Sequence, residues 1–125
     1  MKKTPTKQQL VERVAGLAVE LHQAHYTVTC LRDEYKDECF NYFRKHGEPY
    51  PDRHGINYND PAYDGVIRYT RQSYERMTEA KQRRYNIKRR LDTAVRSLML
   101  ETGESLVRPK PSTVKRANIA GVTLQ

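Results

Sequence analysis

Two histidines three residues apart, His22 and His25, are followed by Cys30 in a stretch with helical spacing. On one helix face they offer two nitrogen ligands and a nearby sulfur. A zinc site needs three or four such ligands in tetrahedral reach. No CxxC or HExxH spacing supplies the rest, so the sequence implies no metal. A second group, His46, Glu48, Asp52, His54 and Asp60, gathers acids and bases within one stretch rich in Gly and Pro. General acid–base chemistry uses such side chains. Yet no phosphate loop, nucleophile elbow or paired catalytic signature accompanies them. They read as a solvated turn with helix caps, and the chain is expected to be no enzyme and to need no cofactor.

The arginines and lysines are the stronger signal. The chain carries 23 Lys and Arg against 15 Asp and Glu, a net charge of +8. From Ala80 to Arg96 the basic residues Lys81, Arg83, Arg84, Lys88, Arg89, Arg90 and Arg96 are opposed within the stretch by Asp92 alone. Arg76, Arg83 and Arg90 repeat every seven residues and form a row about 21 Å long on a helix, expected to face outward. Arg89 and Arg96 lie on the other flank of that face. Guanidinium rows track phosphates, and Tyr69 and Tyr85 beside them offer rings for base stacking. The same row suits an acidic protein surface equally well.

These residues must be carried by helices. Leu10, Val14, Leu17, Leu21, Ala24, Val28, Leu31 and Tyr35 alternate steps of four and three, the spacing of a helix that packs on another helix. A first helix is expected over about 6–46, opened by a Thr6/Gln9 capping box and closed at Gly47. Gly16 within it is expected to let a neighbouring helix approach. Phe40, Tyr42 and Phe43 place an aromatic cluster at its far end. A loop follows at 47–60, with Tyr50 and Tyr58 as anchors. Asp60-Pro61 signals a second helix over about 61–102, with Val66, Thr70, Met77, Ala80, Ile87, Leu91, Val95 and Leu98 as its apolar face. Two long helices joined by one loop favour an all-α antiparallel hairpin over 1–103, coiled-coil-like, with scope to dimerise into a four-helix bundle.

In such a hairpin, paired positions total about 107. Arg84 and Lys88 then fall on the apolar side of the second helix opposite Glu20, His22 and Gln23. A buried charge without a partner is costly. The sequence therefore predicts a core polar layer of Glu20, His22, Arg84 and Lys88, with Glu20 facing Lys88 or Arg84. The remaining segment, 104–125, contains Arg108-Pro109-Lys110-Pro111, which cannot be helical. It is read as an extended basic tail, free or docked on a partner.

Composition narrows the class further. Cys30 and Cys39 lie about 13 Å apart along one helix, too far for a bridge, as in reduced thiols of a cytoplasmic protein. No apolar run approaches a membrane span or a signal-peptide core. The residues thus point to a non-enzymatic helical binding module whose second helix meets nucleic acid through Arg76, Lys81, Arg83, Tyr85, Arg89, Arg90 and Arg96. The alternative is a small protein-binding adaptor, inhibitor or assembly subunit, of the kind phages and mobile elements carry. It would use its helical seam, loop and tail as a homodimer or in a hetero-complex.

Overall fold

The first expected helix forms almost as the capping signals dictate. In the computed structural model, which describes residues 4–53 and 55–111, helix α1 spans Lys7–His46. Thr6 Oγ1 accepts from the Gln9 amide at 3.2 Å, and the Thr6 amide donates to Gln9 Oε1 at 3.0 Å. That reciprocal pair satisfies two donors the first turn leaves free. At the other end Gly47 takes φ 83°, and its amide donates to the Phe43 carbonyl at 2.6 Å. Arg44, Lys45 and His46 fill the last turn, where the helix dipole favours positive charge.

The second segment is not one helix. Asp60 Oδ1 accepts from the Ala62 amide at 2.9 Å and Pro61 follows, as a helix start requires. The chain then makes a 3-10 turn, Pro61–Tyr63, followed by α2, Asp64–Tyr69, and α3, Arg71–Thr102. The break falls at Thr70, with φ −98° and ψ 9°. Its hydroxyl donates to the Val66 carbonyl at 2.8 Å, a local bond that bends helices. The Thr70 amide also reaches Val66 and the Tyr74 amide reaches Thr70, both at 2.9 Å, so the ladder carries across the bend. α3 ends in a left-handed Gly103, with Gly103 N donating to Leu100 O and Glu104 N to Met99 O. This Schellman pairing satisfies carbonyls that would otherwise lack donors.

α1 and α3 pack antiparallel, and the described residues contain helices and turns but no strand. The contact is thin. Leu17 and Ala24 of α1 close on Ile87 and Ala94 of α3, flanked by half-buried Val14, Leu21 and Leu91. Leu10, Val28, Val66 and Met77 extend the strip along the hairpin. Ser73, Ala94 and Tyr63 are also buried, although none belongs to the apolar face read from the sequence. Small residues at 24, 73 and 94 fit because two helices in close contact leave little room between their axes.

Residues 104–111 carry no helix or strand and are exposed. The rest of the expected tail, 112–125, lies outside the described residues, as do the first three residues of the basic arm and His54.

The glycine that permits close approach is Gly65, not Gly16. A Cβ at Gly65 would sit 2.0 Å from the Tyr42 hydroxyl oxygen and 3.0 Å from Cζ, whereas Gly16 has nothing within 4 Å. Gly16 faces outward, so it costs helix propensity without easing any contact. Gly65→Ala should therefore lower unfolding stability by about 1–3 kcal/mol through overpacking. Gly16→Ala should raise it by up to about 1 kcal/mol. Urea denaturation of both variants checks this, and equal shifts would contradict the packing described.

Candidate nucleic-acid interface

The register decides which cations are free. Arg76 Nη1 lies 2.9 Å from Glu34 Oε1, and Arg90 Nη2 lies 3.8 Å from Glu20 Oε2. Both pairs of numbers total 110, about one helical turn beyond the expected 107. Arg13, Glu20, Thr27 and Glu34 step by seven along α1, and Ser97, Arg90, Arg83 and Arg76 step by seven down α3. In this register the two rows run side by side. The Arg76–Arg83–Arg90 row expected to point outward thus lies along the edge where α3 meets α1. Its first and last members are held by carboxylates, and Arg83 falls opposite Thr27, which carries no charge. Arg83 also lines a recess with Glu20, Gln23 and Thr27.

The same shift changes the expected polar layer. Glu20 pairs with Arg90 rather than with Lys88 or Arg84. His22 and Lys88 are exposed and Arg84 is half-buried, so the four residues do not close on one another in the core. The physical reason is the register: a one-turn slide carries Glu20 past Lys88 to the next basic residue on that edge. Lys88 instead borders an apolar groove of about 480 Å³ with Leu21, Leu91, Val95 and Tyr85. Its ammonium stays in water while its stem covers apolar surface.

Of the remaining expected contacts, Arg96 Nε pairs with Asp92 at 3.3 Å within α3. Arg89 sits with its guanidinium 5.8 Å from the centre of the Tyr85 ring. Lys81, Arg83, Arg84, Lys88 and Arg89 carry no ion pair among the described residues. Tyr85 and Tyr69 are 55% and 58% exposed, and each ring has one neighbour, Arg89 for Tyr85 and Tyr42, with ring centres 5.5 Å apart, for Tyr69.

One contributor escaped the sequence reading. Arg13 of α1 lines a groove of about 360 Å³ together with Arg89 and Arg90 of α3. The signal was available: Arg13 heads the seven-residue row that meets Arg90 and Ser97. Its basic character is masked in sequence because α1 as a whole carries as many acidic as basic residues.

The loop end is built from aromatic side chains. The Tyr35 and Tyr58 hydroxyls are 2.9 Å apart, and both rings lie against Tyr74 at 5.6 and 5.8 Å. Tyr50 lies against Tyr63. His46 stacks on Tyr42 at 4.5 Å, and the Asp60 carboxylate is occupied as a cap. Glu38 receives the Ser73 hydroxyl from across the hairpin. His22 and His25 are both exposed, and no three His, Cys, Asp or Glu converge among the described residues. Among those residues no helix is long and apolar enough to cross a membrane.

Both cysteines are free, Cys30 exposed and Cys39 half-buried. Burial pushes the Cys39 thiol pKa above its usual value and the Glu38 charge adds to the rise, while hydrogen bonds with Tyr35 and Thr70 work against it. Fewer thiolates then exist at any given pH, and the thiolate is the nucleophile. Cys39 should accordingly be alkylated by iodoacetamide at pH 8 more slowly than Cys30, by about tenfold or more. Peptide mass spectrometry over time reads both sites, and equal rates would refute the burial assigned to Cys39. In comparisons with known proteins, no family model, no curated sequence and no solved structure matches this chain.

Proposed function

We propose that this chain is a non-enzymatic helical binding module whose α3 engages nucleic acid through its phosphates. The observation that carries the reading is the run Lys81, Arg83, Arg84, Lys88 and Arg89, five cations within nine residues and without an ion pair among the described residues. Clustered like charges repel one another, and a polyanion turns that repulsion into attraction while releasing its own counterions. Tyr85 stands beside the run to stack on an unpaired base. Arg76, Arg90 and Arg96 contribute less than their count suggests. Their charge is already partly answered by Glu34, Glu20 and Asp92.

A second reading rests on a different observation. Leu21, Leu91 and Val95 leave an apolar groove beside Lys88 that a phosphate backbone does not fill. An acidic protein surface with an apolar ridge would satisfy both the groove and the cations, making the chain an adaptor, inhibitor or assembly subunit. A second copy of the hairpin would cover the groove as a four-helix bundle. Light scattering separates a homodimer from a monomer awaiting a partner.

Binding to labelled duplex and single-stranded oligonucleotides should weaken steeply between about 50 and 200 mM salt, with a log–log slope of about −3 to −5. The double variant Lys81→Gln/Arg83→Gln should flatten that slope by about two. Glu20→Gln, which frees Arg90, should steepen it while changing stability by no more than about 1 kcal/mol. Affinity weaker than about 100 μM at low salt would overturn the nucleic-acid reading.

A further inference from the structure

At the open end of the hairpin, away from the aromatic loop, three arginines from two helices line one groove. Arg13 comes from α1, and Arg89 and Arg90 from α3. The floor is apolar: Leu10 and Ala94 are 5% and 4% exposed. No carboxylate lines the groove. The lining also contains Thr93 and Ser97, whose hydroxyls donate to the Arg89 and Thr93 carbonyls. Their protons are thus committed to the backbone. Asn86 differs. Its Oδ1 accepts from Gln82 Nε2 at 3.1 Å, which leaves its amide N–H groups as donors at the groove wall.

Three cations around an apolar floor repel each other more strongly than they would in open water, since the floor excludes solvent. Of the three, Arg90 alone has an ion pair among the described residues, and at 3.8 Å and half exposed that contact is weak. Guanidinium forks match the tetrahedral oxygens of phosphate and hold them by paired, charge-assisted bonds.

We infer that this groove is a phosphate clamp, in which Arg13 of α1 and Arg89 and Arg90 of α3 close on one phosphate oxyanion with Asn86 as a neutral donor. The inference rests on the polyanion reading above and narrows it: one phosphate is gripped across both helices, with Arg13 as the contribution of α1. A phosphodiester in a strand and a free phosphate group present the same oxygens. Occupancy ties the first turns of α1 to the middle of α3, so a bound phosphate also stabilises the fold.

The test uses the full chain with inorganic pyrophosphate and with a thymidine 12-mer as separate probes. Binding is followed by fluorescence anisotropy for the oligonucleotide and by thermal shift for pyrophosphate. Arg13→Gln and Arg89→Gln, both at exposed positions, should each weaken oligonucleotide binding about five- to tenfold. Each should also reduce the salt slope by about one. Arg44→Gln, at the other end of α1, removes the same charge outside the groove and should weaken binding less than twofold. Circular dichroism confirms that the variants keep their helices. If Arg13→Gln matches Arg44→Gln with both probes, the clamp is overturned while the polyanion reading stands. If pyrophosphate raises the melting temperature in an Arg13-dependent way but the 12-mer does not bind, the clamp stands as a site for a free phosphate group and the nucleic-acid reading falls. If neither probe binds, both are overturned.

Discussion

Two helices alone can hide only one narrow strip each, and here Leu17 and Ala24 of α1 close that strip against Ile87 and Ala94 of α3. Ile87 and Val28 are wholly removed from water, while most of the chain remains in contact with it. Burial of apolar surface is the main favourable term in folding, so a strip this thin leaves a modest margin against the entropy of ordering two long helices. The small residues are what allow the approach. Ala24 and Ala94 bring the helix axes together, and Gly65 lets α2 settle on the Tyr42 ring at the loop end.

That strip also fixes the register, and the register sorts the charges. With the core closed as it is, Glu34 meets Arg76 and Glu20 meets Arg90 along one edge. Each pair is exposed and contributes at most about 1 kcal/mol, so the pairs follow the packing rather than direct it. Their consequence is electrostatic. They quiet two guanidinium groups of α3 and leave the cations between and beyond them without partners. The unpaired cations are therefore Lys81, Arg83, Arg84, Lys88 and Arg89 on α3, with Arg13 of α1 beside Arg89 at the groove.

The loop end solves a different problem. The 47–60 segment has little aliphatic content, and it is fastened by tyrosine rings and their hydroxyls instead. Tyr35, Tyr58 and Tyr74 form one group, and Tyr42, Tyr69 and His46 form another. Tyrosine suits this place because its ring packs while its hydroxyl stays bonded near the surface. Burial and the bond to Tyr58 raise the Tyr35 pKa, so its hydroxyl keeps its proton and the Tyr35–Tyr58 bond persists across the physiological range.

The sequence by itself determined the elements whose causes are local. Thr6 with Gln9, Asp60 with Pro61, and the glycines at 47 and 103 act within a few residues of their own backbone, so the helix ends were legible. The four-and-three spacing named most of the buried strip for the same reason. Tertiary structure decided what depends on how one helix slides along another. Spacing defines a face but not its offset against a partner. A shift of about one turn keeps apolar residues facing apolar residues yet changes every charged neighbour. That slide gave Glu20 to Arg90, turned the Arg76–Arg83–Arg90 row from an outward face into an edge, and drew Arg13 of a charge-balanced helix into a basic groove. The use of Gly65 rather than Gly16 was decided there as well. The choice of Gly65 answers to where the Tyr42 ring lies, which no residue near it in sequence encodes, while at Thr70 a local hydroxyl bond to Val66 supplies the bend.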